Sequence, residues 1–376
     1  MTTKTPDYWR PGDDPGAREF VTFSGEAGSG FTFESGGQLA TVTVAFETWG
    51  TLNAERSNAV LVLHALTADS HAVGDEGSGH PAPGWWNGLI GPGLAIDTNE
   101  FFVVCPNVLG GAQGTTGPSS LDENGQPYGS RFPVITVRDQ VTVEVALANQ
   151  LDIASWHAVV GGSMGGMRVL EWAVGYPRRV RHAVVLAVGA ASTADQIAHS
   201  SLQVRAIRAD PHFLRGDYYE SGSAPREGLA IARGLGQITY RSSDELDARF
   251  GRSSQDEGDP LRGDLYAVAS YLAHHGEKIV RRFDANSYVV LSEAMNHHDV
   301  GRGRGGVATA LGAIQSRVTV IGIDSDRLYP LRLQEELVRL TPGANSLFVI
   351  SSPVGHDGFL LEVDQIGKII RSALQE

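Results

Sequence analysis

The chain has 376 residues, 41% apolar and 19% charged, the balance of a soluble globular protein. Its net charge of −13 argues against a general nucleic-acid surface and against an anionic membrane, and no apolar run approaches the ~18 residues of a membrane span. Cys105 is the single cysteine, which excludes an intramolecular disulfide; with an N-terminus that lacks an apolar signal core, it leads us to expect a cytoplasmic location.

In chain order, residues 1–19 are polar and proline-containing and read as an irregular arm. Strands are expected over 20–33 and 40–48, where the alternation from Thr41 to Phe46 suggests half-buried antiparallel strands at a sheet edge. The runs at 59–63 and 101–105 are continuously apolar, as in strands covered on both faces. Val137, Val141, Val145, Ala148 and Leu151 recur at helical spacing, with Thr136 as the cap. A strand at 158–160, a helix at 167–176 and a strand at 183–188 follow. This alternation predicts an α/β fold with a mostly parallel sheet and helices on both faces.

The alternation then stops. From 192 to 304 the patterns are helical, chiefly at 194–209, 226–234, 264–283 and 288–295, and 301–306 (GRGRGG) reads as a flexible return. Strands resume at 317–323 and 346–350, and a last helix is expected over 359–374. The organisation expected is therefore a core of 1–191 and 305–376 interrupted by a helical lid, 192–304, too long for an ordinary connection.

The chemistry centres on Gly161-Gly162-Ser163-Met164-Gly165, a G-x-S-x-G pentad between a strand and a helix. With 46 glycines in the chain the pentad alone is weak; its context makes it a nucleophile elbow. The turn exposes the Ser163 hydroxyl and leaves the Met164 amide at a helix N-terminus, facing a developing oxyanion. A second donor is expected from the loop 64–71, near the Leu66 amide.

A hydrolase-type triad runs nucleophile, acid, histidine, each on a loop after a strand. His356 follows the last strand, and Asp324 and Asp326 follow the one before; spacing does not choose between the two aspartates. Asp357 serves equally as a helix cap or as a partner for a cationic substrate group. His64 and His71 have no third metal ligand at useful spacing, so no metal is expected, and Cys105 lies in a run that reads as buried and inert.

Six segments make a more specific pattern: LHALTADSH (63–71), NVLGGAQGTTGPSS (107–120), GGSMGGMRVLEWAVGYP (161–177), FDANSYVVLSEAMNHHD (283–299), DSDRLYP (324–330) and GHDGFL (355–360). Together they resemble the homoserine O-acetyltransferases, α/β-hydrolase-fold enzymes of methionine biosynthesis, over nearly the whole chain beyond the N-terminal arm. The resemblance implies ping-pong transfer of an acetyl group from acetyl-CoA, a co-substrate, to the hydroxyl of L-homoserine, with no bound cofactor and with a homodimer as the expected assembly. It makes Ser163 the nucleophile, Asp326 the acid and His356 the base, and it points to Arg233 and Asp357 as substrate contacts. Many relatives carry a cysteine where this chain has Ala112, so the chemistry implied here does not need a thiol at that position. Homoserine O-succinyltransfer, serine O-acylation, and an esterase or thioesterase with the same triad are the alternatives.

Overall fold

A computed structural model of the chain describes residues 12–375, apart from 26, 27 and 78. Residues 1–11 of the expected arm therefore lie outside the described part. The main sheet holds β1 (Glu19–Phe23), β2 (Val42–Trp49), β3 (Ala59–Leu63), β4 (Phe102–Pro106), β5 (Trp156–Gly162), β6 (Val180–Leu186), β7 (Arg317–Ile323) and β8 (Ala344–Ile350). Their order across the sheet is β1-β2-β4-β3-β5-β6-β7-β8. β1 pairs antiparallel with β2, and β2 with β4; every pair from β4 to β8 is parallel. The expected antiparallel strands do lie at this edge, but half-burial holds only over Thr41–Thr43. Val44, Ala45, Phe46 and Glu47 are all buried, because β2 is flanked by β1 and β4 and covered by Thr115 and Thr116, which bond its backbone. The continuous apolar runs mark the covered centre. The run expected over 20–33 breaks after Phe23, and Phe31–Thr32 pairs with Gln38–Leu39 outside the main sheet.

Eleven α-helices are present among the described residues. α1 (Val137–Gln150), α2 (Met164–Gly175), α8 (Val307–Gly312), α9 (Leu331–Leu340), α10 (Gly358–Leu361) and α11 (Val363–Gln375) flank the sheet. Between β6 and β7, α3 (Ala194–Ala209), α4 (Arg226–Tyr240), α5 (Ser243–Phe250), α6 (Ala267–Val280) and α7 (Ala285–Asn296) form the helical segment. α1 begins at Thr136, whose hydroxyl accepts from the Asp139 amide while the Asp139 carboxylate accepts from the Thr136 amide, a reciprocal capping box.

The period of two in β3 divides the core. Leu61 and Leu63 face Leu147, Val169 and Trp172 of α1 and α2, whereas Val60 and Val62 face Ile366 and Ile370 of α11. A third cluster joins the helical segment to the sheet's C-terminal edge, where Leu229, Ile279, Phe283 and Tyr288 pack on Leu66 and Met164. The segment therefore rests on the elbow itself.

Three expectations change. The last helix is two, because the chain turns at Glu362 (φ −85°, ψ 54°). α5, α8 and α9 are helices at positions where none was expected. GRGRGG is not a loose return: Arg304 pairs with Glu171 at 2.8 Å and Arg302 with Glu34 at 2.7 Å, tying the turns to the body. No helix among the described residues is long and apolar enough to cross a membrane.

Candidate active site

Ser163 stands between the end of β5 and the start of α2, with φ 56° and ψ −124°. A side chain is held there only against steric cost, which the surrounding turn must supply. The closeness of the turn is measured by its glycines: a Cβ on Gly165 would lie 2.0 Å from the Leu63 carbonyl oxygen, and one on Gly161 would lie 2.7 Å from the Gly165 carbonyl carbon. The glycines are thus required where the sequence pattern placed them.

The turn aims the Ser163 hydroxyl at His356. Ser163 Oγ is 2.9 Å from His356 Nε2, and His356 Nδ1 is 2.6 Å from Asp326 Oδ2. All three side chains are buried. Asp326 Oδ1 accepts from the Leu328 and Tyr329 amides, both at 2.8 Å, which leaves Oδ2 for the imidazole. Asp324, exposed, accepts instead from the Ser352 amide at 3.0 Å. β7 ends at Ile323 and the chain turns there, with Asp326 N donating to Ile323 O, so strand parity does not govern either aspartate. Burial alone would push His356 down; the Asp326 carboxylate, by charge and hydrogen bond, outweighs it and, with Asp357, holds the imidazole above its ordinary 6.5. Tyr329 stacks on the ring at 5.1 Å and Phe359 meets it edge-on at 5.3 Å.

Met164 N, at the first position of α2, and Leu66 N, in the loop after β3, make no hydrogen bond within the described residues. Beside the loop opens a cavity of about 260 Å³ lined by Thr67, Asp69, Arg233, Lys278, Arg282 and Leu360 among others. Arg233, half-buried on α4, lies 3.4 Å from Thr67 Oγ1 and over the Tyr240 ring at 5.4 Å, and no carboxylate of the described residues stands within ion-pair distance. Arg282, whose pKa is lowered to about 10 by burial and then by Arg233, donates to Thr67 O at 2.7 Å. The anionic chain thus presents a local cationic wall.

Asp357 makes no side-chain cap bond to α10. Its Oδ2 instead stands 3.4 Å from Arg241 Nε, a residue that no sequence pattern singled out because Arg241 and Asp357 are brought together only in three dimensions. Tyr329 and Arg282 were likewise missed; Tyr329 sits in the DSDRLYP segment, which was the available signal.

Spacing along the chain offers His64 and His71 no third ligand, but in space Glu47 and His80 lie against His71. Glu47 Oε2 is 2.9 Å from His71 Nδ1, and His80 stacks on His71 at 3.7 Å and 11°. Glu47 lies on β2, far back in sequence, so spacing could not reveal it. Two imidazole planes stacked in parallel cannot both direct in-plane lone pairs at one ion about 2 Å away. His80 Nε2 also accepts from the Ala17 amide at 3.1 Å. The group is therefore a hydrogen-bonded cluster. Cys105 is fully buried, and burial and then Glu47 raise its thiol pKa well above the ordinary value, so it is inert.

An alpha/beta hydrolase fold model matches residues 58–363. The homoserine O-acetyltransferase of Thermobifida fusca (strain YX) is 57% identical over 98% of this chain and 96% of its own length. The crystal structure of homoserine O-acetyltransferase from Bacillus anthracis is similar at a TM-score of 0.88 and 29% identity, covering 96% of this chain and 97% of that one. The crystal structure of esterase E22 is similar at a TM-score of 0.84 and 29% identity, covering 95% of this chain and 100% of that one.

Proposed function

Because the chain belongs to the homoserine O-acetyltransferase family on the α/β-hydrolase fold, we propose that it transfers acetyl from acetyl-CoA to L-homoserine through Ser163, His356 and Asp326. The observation that carries this is the hydrogen-bonded chain Ser163–His356–Asp326; the cavity beside the loop 64–71, whose Arg233 lacks a carboxylate partner among the described residues, supports it.

His356 Nε2 takes the Ser163 hydroxyl proton as Oγ attacks the thioester carbonyl, and Asp326 stabilises the imidazolium. The Leu66 and Met164 amides hold the oxyanion. Collapse expels the thiolate, which takes the proton from His356 and leaves as CoA-SH. Homoserine then enters, its γ-hydroxyl gives its proton to His356, and its oxygen attacks the acetyl carbonyl. Expulsion of Ser163 Oγ, reprotonated by His356, releases O-acetyl-L-homoserine. Lys278 and Arg282 on the cationic wall suit an anionic donor, and Arg233 suits the acceptor's carboxylate through its forked geometry. Asp357 suits the acceptor's ammonium, in exchange for its contact with Arg241. Water, at ~55 M, is outrun when the acceptor hydroxyl has an effective molarity of roughly 10⁵ M and the helical segment covers the site as a lid.

Thiol release from acetyl-CoA, with and without L-homoserine, tests the proposal. Steady release only with the alcohol, matched by ester product, supports transfer; steady release without it makes the protein a hydrolase, the second reading, favoured by the likeness to esterase E22. Succinyl-CoA and L-serine in the same assay test the donor and acceptor. We also propose a cytoplasmic homodimer, supported by the single buried cysteine and by exposed Leu202, Ile231 and Leu265 on the helical segment; light scattering tests the assembly.

A further inference from the structure

His64, in the loop after β3, has no part in the proton transfers. It is buried, and both ring nitrogens are engaged: Nε2 is 3.0 Å from the Val108 amide, and Nδ1 is 2.8 Å from the carbonyl oxygen of Ala65. The Val108 N–H is a donor only, so Nε2 must accept, and the ring proton resides on Nδ1 and is donated to Ala65 O. Burial, and then Arg168, lower the His64 pKa to about 3, so this neutral tautomer persists through the working range.

The consequence follows from peptide planarity. In a trans peptide the carbonyl of one residue and the N–H of the next point in opposite directions in one rigid plane. The carbonyl of Ala65 and the N–H of Leu66 belong to the same plane. Ala65 O accepts from two donors, His64 Nδ1 at 2.8 Å and the Ala68 amide at 3.1 Å, and holding it turns Leu66 N–H the other way; that amide makes no hydrogen bond within the described residues. The preceding peptide is held as well. Arg168, fully buried on α2, donates through Nη2 to His64 O at 2.6 Å and through Nη1 to Glu144 at 2.6 Å, while Trp172 donates to the other Glu144 oxygen at 2.7 Å. The helix that carries the nucleophile thus grips the loop that carries the second oxyanion donor.

We propose that His64 is a positioning residue for the oxyanion hole: its Nδ1–H, the shorter of the two bonds to Ala65 O, fixes the Ala65–Leu66 peptide plane that the Ala68 amide alone leaves free to tilt, with Arg168 bracing the plane before it. The inference rests on the acyl-transfer reading above, in which the Leu66 amide receives the oxyanion.

Two substitutions separate positioning from simple core filling. His64→Asn places a side-chain amide where Nδ1 stands and keeps a donor for Ala65 O. His64→Gln reaches instead to the Nε2 position and keeps an acceptor for Val108 N. Acetylation of Ser163 by acetyl-CoA, followed by stopped-flow thiol release and mass spectrometry, should be within about tenfold of wild type in His64→Asn and slower by about 10²-fold or more in His64→Gln, the loss expected for one misdirected oxyanion donor. Inhibition by phenylboronic acid, which adds to Ser163 Oγ as a tetrahedral anion, should weaken in the same order, while melting temperatures need not follow it. Equal rates and equal boronate inhibition in the two variants, or a ranking that follows melting temperature alone, overturns the inference. Absence of acetylation in the wild-type protein would instead remove the acyl-transfer reading on which it stands.

Discussion

Asp326→Asn tests the proposed proton-transfer chain most directly. The substitution keeps the side chain's size and keeps an oxygen for the Leu328 and Tyr329 amides, so the loop after β7 has no reason to move. What changes is the atom 2.6 Å from His356 Nδ1. An amide oriented by those two backbone donors presents N–H to the imidazole, which forces Nδ1 to accept and leaves Nε2 protonated, unable to take the Ser163 proton. The imidazolium also loses an anion whose charge centre lies about 4 Å away, worth roughly 4 kcal/mol at an effective permittivity of ~20, or about 10³ in rate. With the wrong tautomer added, kcat should fall by about 10³ to 10⁴. Asp324→Asn keeps its acceptor for the Ser352 amide and should stay within about threefold of wild type. The assay is acetyl-CoA and L-homoserine turnover, with circular dichroism to show that both variants fold. A fall of less than tenfold in Asp326→Asn, or a larger loss in Asp324→Asn, refutes the assignment.

Arg233→Ala and Asp357→Ala should leave the rate of acyl-enzyme formation within about tenfold, yet lower kcat/KM for homoserine about 100-fold, as for a charge-assisted contact worth roughly 3 kcal/mol; equal losses in both half-reactions would place them in the scaffold or the donor site. His356 acts as a base only when neutral, so its raised pKa puts the acid limb of the acylation pH profile above pH 6.5, and Asp357→Asn, by removing an anion that raises it, should move that limb to lower pH. An unmoved limb in that variant would mean Asp357 does not act on His356. Thr136→Ala removes the α1 capping box far from the chemistry and should cost about 1 kcal/mol in denaturant unfolding with kcat unchanged; an unchanged midpoint would show the cap to be idle.

The sequence alone determined the features that depend on local sterics and periodicity. Buried parallel strands announce themselves as unbroken apolar runs at Ala59–Leu63 and Phe102–Pro106, because both faces are covered. The elbow is legible because a turn this tight tolerates nothing but glycine at Gly161 and Gly165, whatever the rest of the fold does. Thr136 declares a helix start because capping is satisfied within one turn, as its bond from the Asp139 amide shows. What the tertiary structure decided is everything set by pairs distant in sequence. Asp324 and Asp326 are equivalent by spacing; only the turn at the end of β7 and the position of His356 separate them, by directing one carboxylate to an imidazole and the other to the Ser352 amide. Asp357 reads equally as a cap or a substrate partner until Arg241 is seen beside it, and Glu47, on β2 between β1 and β4, joins His71 only through the packing of that strand against the loop. Such contacts leave no periodic trace in the chain, since hydrogen bonds and ion pairs between remote segments constrain distance in space and not spacing in sequence.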